Sequence, residues 1–312
     1  MDQLAAMRAF VRVVEAGTFT RAADLLEIPK PTLTKHIQAL EAHLRTKLLN
    51  RTTRRVTVTP DGAAYYERAL ALLNDLEELD GSLRTSQASP RGRLRVDISP
   101  SLAMLLLIPA LPRFFDRYPD IQVDLGVTDR SVDLVGENVD CVVRGGDLVD
   151  PSLIARRIAE IPMTTCAARP YLARYGAPTH PRQLEEEHRV VRYFNARTGR
   201  FLPMEFVRGD ETLEISGKYL FAANEGNAYL TAGLAGLGIL QAPAFMLRQY
   251  MREGTMVPVL TEWTTEALPI FVVFPPNRHM SARLRVFVDW VADLFAKSDL
   301  IQFDPAAEAH GL

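Results

Sequence analysis

The chain has 312 residues, 47% apolar and 24% charged, with a formal net charge of −2. That length exceeds one ordinary domain, and the balance is that of a globular protein with a sizeable core. No apolar run reaches the roughly 18–20 residues that cross a bilayer, and the start MDQLAAMRAF carries no export signal, so the expectation is a cytoplasmic protein with no membrane contact.

Two cysteines, Cys141 and Cys166, are too few for a disulfide framework or a four-ligand zinc site, and both sit in strand-like apolar runs as buried thiols. The charge is unevenly spread. Residues 1–60 hold ten Lys/Arg against five acids, a net +5, which leaves −7 on the remainder. A small basic head on a larger acidic body points to a polyanionic partner for the head.

In the head, Phe10, Val11 and Val14 make one apolar stripe of a first helix, which Gly17 stops. Thr18 N-caps a second helix with Ala22, Leu25 and Leu26 facing inward. Pro29 halts that helix, because the residue before a proline is pushed out of the helical region. Pro31 then takes a first-turn position in a third helix, where its missing N–H costs nothing. Leu33, Ile37, Leu40 and Leu44, at steps of four, three and four, form the inner face of this third helix. Its outer face begins with Thr32, Lys35 and His36, with Thr34 at the margin. Two short helices joined by a proline-fixed turn make a helix-turn-helix, whose second helix projects its N-terminal side chains into the DNA major groove. Next, LLNRTTRRVTVTPDG reads as two short strands, Leu48–Asn50 and Val56–Val58. They form a wing that carries Arg51, Arg54 and Arg55 toward the sugar-phosphate backbone or the minor groove.

With these residues in view, FVRVVEAGTFTRAADLLEIPKPTLTKHIQALEAHL and the wing after it resemble the N-terminal domain of the LysR-type transcriptional regulators. The resemblance implies double-stranded promoter DNA as partner, with Lys30, Pro31, Thr32, Thr34, Lys35, His36 and the three wing arginines at the contact. The sequence departs from the usual pattern at Lys30, where the family has Gln, at Thr34 (Ser), at Arg45 (Gly) and at Leu49 (Phe). Lys30 matters most, since lysine favours guanine or phosphate over adenine.

Thr59 and Pro60 cap and open a long connecting helix. Within it Tyr65, Ala69, Leu72, Leu76, Leu79 and Leu83 recur at alternating steps of four and three, an a/d seam that predicts dimerisation before the linker TSQASPRG. The family's linker helix pairs in the same way, and the expected assembly is a homodimer or homotetramer.

From residue 93 strands and helices alternate. LRVDI is a strand, LAMLLLIPALPRFFDRY a helix with an internal proline, and IQVDLGV and DCVVRGG strands separated by a short helical SVDLVGENV. A second series runs from about residue 163, with MTTCAA, RVVRYF, KYLFAAN and GILQAP as strands and NAYLTAGLAGL as a helix. The chain returns at LPIFVVFPP and closes with the helix SARLRVFVDWVADLF. This pattern implies parallel sheets covered on both faces, in two lobes with a cleft at the strands' carboxyl ends. The overall fold class is therefore α/β with an N-terminal winged helix-turn-helix, a long linker helix and a two-lobe body. The boundaries fall at 1–60 (head), 61–90 (linker), 91–162 with 269–312 (lobe I) and 163–268 (lobe II).

The body also resembles the family's effector-binding domain, a relative of the periplasmic solute-binding fold. That resemblance implies a small-molecule effector, no cofactor or metal, and a pocket lined by Ser99, Pro100, Ser101, Thr128, Arg144, Gly145, Asn224 and Glu225. Amides opening the helix after Ser99 suit a carboxylate. The structural alternatives are that Ser101 and Asn224 only cap and that Arg144 is an ion-pair partner. Ligand-driven closure would alter the spacing of paired heads and their contact with RNA polymerase.

Catalysis is not expected. There is no HExxH, GxSxG or P-loop, and GLAGLG at 233–238 closes a helix instead of opening one. The remaining rival is a transport solute-binding protein with no DNA role, which the basic head argues against.

Overall fold

Asp2 starts the first helix by accepting the N–H of Ala5 at 3.0 Å, and Gly17 ends it in the left-handed conformation. The computed structural model describes residues 1–51, 56–83, 90–146, 152–276 and 280–303. It divides into two units, Met1–Ser89 and Pro90–Leu312. The first holds α1 (Gln3–Ala16), α2 (Phe19–Leu25), α3 (Lys30–Leu44), β1 (Leu49–Arg51), β2 (Val56–Val58) and α4 (Pro60–Leu83). Phe10, Val13, Ala22, Leu33, Ile37 and Leu40 are fully buried together at its centre.

Two expectations for the head are corrected. Leu25 is exposed, not inward. Ala22 and Ala23 define the buried face of α2, and at about 100° per residue Leu25 lies roughly 110° off it while Leu26 falls on it. The helix also ends well before Pro29. Glu27 adopts a left-handed φ of 53° and the Ile28 N–H turns back to the Ala23 carbonyl, so Pro29 caps α3 instead of stopping α2. The strand after α3 begins one residue late, because Leu48 is buried in the core and Leu49 pairs with Val58. Glu41 on α3 fastens this strand by accepting the N–H groups of Leu48 (3.0 Å) and Leu49 (3.1 Å). Thr59 caps α4 by accepting the Gly62 N–H at 2.9 Å. Gly62 allows this close approach, since a Cβ there would lie 2.0 Å from the Leu48 carbonyl oxygen.

In the second unit, β3 (Gly92–Ile98) leads through α5 (Pro100–Leu102) and a π-helical turn at Ala103–Leu107 into α6 (Ile108–Arg117). Pro109 and Pro112 lack the N–H groups that would continue the regular ladder, and the Ile108 N–H reaches back five residues to Ala103. Then come β4 (Ile121–Val127), β5 (Cys141–Gly145) and β6 (Ile154–Ile161). β7 (Met163–Ala168), α7 (Arg169–Tyr175), α8 (Gln183–Glu186), β8 (Arg189–Tyr193), β9 (Met204–Arg208), β10 (Glu211–Ile215) and β11 (Lys218–Ala223) follow. The chain continues through α9 (Gly226–Leu234), β12 (Leu240–Pro243), α10 (Ala244–Arg252) and β13 (Met256–Pro258). It finishes with β14 (Leu268–Phe274) and α11 (Ala282–Ala296).

The first lobe is one five-stranded sheet in the order β4-β3-β5-β14-β6. β3 runs parallel to β4 and β5, but β14 lies antiparallel to both β5 and β6, so the sheet is mixed where a parallel one was expected. The second lobe combines β12-β7-β13, the parallel pair β11-β8 and the hairpin β9-β10. SVDLVGENV is a turn and not a helix: Asp133 accepts the Gly136 N–H at 2.9 Å and Asn138 takes a φ of 60°, which breaks helical continuity. Both cysteines are buried, and burial pushes the Cys166 thiol up to about 12.

Candidate nucleic-acid interface and effector cleft

The first turns of α3 stand at the surface because Leu33, Ile37 and Leu40 anchor the opposite face. Lys30, Pro31, Thr32 and Lys35 are exposed, and Thr34 and His36 are half-buried. The Lys30 ammonium donates to the Thr20 hydroxyl at 3.2 Å, a bond that steers it back over the start of α2. The Thr34 hydroxyl donates to the Lys30 carbonyl at 2.9 Å, which leaves its oxygen lone pairs outward. Lys35 carries an exposed cation one turn into the helix. The arrangement can accept from base amino groups at Thr32 and Thr34 and can neutralise phosphate at Lys35. Arg51 is the last residue of β1. Arg54 and Arg55 lie outside the described residues.

Along α4 the six seam positions divide. Tyr65 packs edge-on against Phe10 with ring centroids 5.6 Å apart, and Ala69 is buried in the head core with Leu73. Leu72 is 59% exposed and Leu76 half-buried. The side chains of Leu79 and Leu83 lie outside the described set. A second apolar surface escaped the sequence reading: Tyr219, Leu220 and Phe221 are all exposed on β11, which pairs only with β8 among the described strands. Three consecutive apolar residues give no period-two alternation, so such a strand reads as fully buried from sequence.

In the body, the loop ends of lobe I and the start of α9 in lobe II meet. Ser99 precedes α5, and Pro100 and Ser101 are buried in its first turn, which packs against α9. The Thr128 hydroxyl accepts the Arg130 N–H at 3.1 Å, and its carbonyl accepts from Arg144 at 3.1 Å. Arg144 also donates to the Arg130 carbonyl and to the Asp97 carboxylate, the latter at 2.8 Å. Its guanidinium is thus held in place by lobe I itself, as the ion-pair alternative had it. Asp97 is buried, and burial pushes its carboxyl up to about 6, with Arg144 pulling the other way. Gly145 serves packing: a Cβ there would approach Leu268 and Ile270 on β14 to 2.8 and 2.9 Å.

On the lobe II side the Asn224 carbonyl accepts from the Tyr193 hydroxyl at 3.2 Å. Glu225 caps α9 with both carboxylate oxygens, taking the N–H groups of Asn227 (2.9 Å) and Ala228 (2.8 Å). The remaining first-turn amide, that of Gly226, donates to Asp129 of lobe I at 2.7 Å. Burial raises the Asp129 carboxyl, offset by the Gly226 amide and Arg144, and burial also raises the neighbouring Tyr193 hydroxyl. Asp129 is a cleft position that sequence reasoning missed. A lone Asp after a strand reads as a loop acid, and only its distant partner distinguishes it. Among the described residues no helix is long and apolar enough to cross a membrane, and no three His, Cys, Asp or Glu side chains are placed to hold a metal.

Residues 4–63 match the family described as bacterial regulatory helix-turn-helix protein, lysR family, and residues 87–296 match the LysR substrate binding domain. The chain is 40% identical over 309 residues to the HTH-type transcriptional repressor PA14_22550 of Pseudomonas aeruginosa, covering 99% of this chain and 97% of that one. It is equally 40% identical, over 294 residues, to the HTH-type transcriptional regulator YhjC of Escherichia coli, covering 94% and 97%. Among solved structures it is similar to CrgA, a LysR-type transcriptional regulator from Neisseria meningitidis, with a TM-score of 0.58, 30% identity and 93% and 97% coverage.

Proposed function

The chain belongs to the LysR family of transcriptional regulators, and from that premise we propose how its parts share the work. It is a regulator with a DNA-binding helix-turn-helix head and an effector-binding body, and it is not an enzyme. The transport alternative has no support, because relatives alike over nearly the whole chain are regulators of transcription.

The head reads its operator through Thr32, Thr34 and Lys35 on α3, with Pro31 shaping the first turn and His36 at the margin. Lys30 supplies phosphate or guanine contact near α2, and Arg51, Arg54 and Arg55 supply backbone contacts from the wing. The observation that carries this reading is the exposed polar start of α3 on a helix whose opposite face is fully buried. A second copy covers α4 from Leu72 onward and the apolar strand β11, where Leu72, Tyr219, Leu220 and Phe221 stand exposed. The effector enters between Ser99–Ser101, Thr128 and Asn224–Glu225. Its binding shifts the head spacing, and through it polymerase contact, only to the extent that it favours one arrangement over the other. The protein works in the cytoplasm.

The test is operator binding by gel shift, using DNA immediately upstream of the gene. Thr34→Ala and Lys35→Ala each weaken binding by about 1–3 kcal/mol with folding intact. Unchanged affinity in both variants would falsify the assignment of this face.

A further inference from the structure

The first three amides of α9 are all taken by carboxylates of the protein. Glu225 holds those of Asn227 and Ala228, and Asp129, 97 positions earlier and in the other lobe, holds that of Gly226 at 2.7 Å. A helix N-terminus attracts anions through its free N–H groups and its dipole. Here the attraction is already answered from within. We propose that Asp129 is a built-in anion that ties lobe I to the start of α9, so that the lobe tether and an anionic effector at this point exclude one another.

The surroundings favour one occupant at a time. Tyr193 and Glu225 lie close enough to act on the Asp129 carboxyl, and Glu225 is a like charge. Arg144, the cation that offsets them, is committed to Asp97 and two backbone carbonyls. A Cβ on Gly226 would stand 3.6 Å from the Asp129 carboxylate and 4.0 Å from the Ser101 hydroxyl, so the tether sits where α5 and α9 meet. A small carboxylate reaches the Gly226 amide only by expelling Asp129, and that step breaks this hydrogen bond between the lobes. Anion binding and release of this tether are then one event. This inference rests on reading the cleft as the effector site.

Chemical rescue tests it in the full chain. Asp129→Ala vacates the position of the carboxylate, and acetate is the probe that refills it. The melting temperature of the native protein is expected to be the same in acetate as in chloride at equal ionic strength. In Asp129→Ala it falls by about 4–8 °C, the loss of one charge-assisted hydrogen bond in a unit of this size. At about 0.1 M acetate, enough to occupy a weak site, at least half of that fall returns. Asp129→Ser, which also leaves room, carries the same expectation where the alanine variant does not fold. A variant that folds without acetate-specific recovery overturns the proposal, as does a native protein that gains as much from acetate as the variant. Operator binding by the head is measured separately, so a failure here leaves the family-level reading standing.

Discussion

Asp97 shows how much one side chain's setting differs from its letter. In the sequence it is a charged residue in a strand. In the fold it is buried near the end of β3, with the Arg144 guanidinium 2.8 Å away, and burial still wins, lifting its carboxyl to about 6. The unfolded chain titrates near 3.9, so the native state binds this proton more tightly. Its contribution to stability is therefore complete below about pH 4 and is lost as pH rises through about 6. Asp97→Asn removes that titration. Urea unfolding between pH 4 and 6 is expected to show a shallower decline in the variant, by about 2–3 kcal/mol across the window. Parallel curves would rule out the assignment. Arg144 and Glu225 illustrate the same point: the sequence marks them as cleft residues, and the structure shows each already bonded within the protein.

Among the elements, α3 carries the most local information. Its inner face follows from the spacing of Leu33, Ile37 and Leu40, and its first turn from the proline at the second position. Its end is less well served. Arg45 closes the helix at φ 52°, a left-handed conformation that suits glycine, the residue the sequence comparison expects there. Arg45→Gly is expected to stabilise the head by about 0.5–1 kcal/mol, read as a rise in urea midpoint at constant slope. The side chain is exposed, so little packing is lost. Lower stability in that variant would mean that Arg45 makes a contact outweighing its backbone strain. Elements of the body that depend on distant partners were harder to read. β6 and β13 have no clean alternation, because their pairing with β14 and with β7 decides their burial.

For the whole molecule, the seam on α4 is the feature whose role depends on assembly. Its first two positions fold into the head core, and Leu72 is the first to stand clear. Because Leu72 is exposed, Leu72→Asp leaves the head's own packing intact. Light scattering is expected to give about half the native mass, since a buried unpaired charge at an a/d position opposes helix pairing. An unchanged mass with native melting behaviour would remove α4 from the assembly.

The head was legible from its letters alone, because a helix-turn-helix is specified by apolar spacing, caps and prolines that act within a few residues of one another. The division of charge, the body strands β3, β4, β5, β7, β8, β11, β12 and β14 and the helices α9 and α11 were legible for the same reason. Tertiary structure alone decided the antiparallel placement of β14 and the meeting of Asp129 with Gly226. Those contacts join positions far apart along the chain, and a local pattern carries no record of the partner that burial and hydrogen bonding will select.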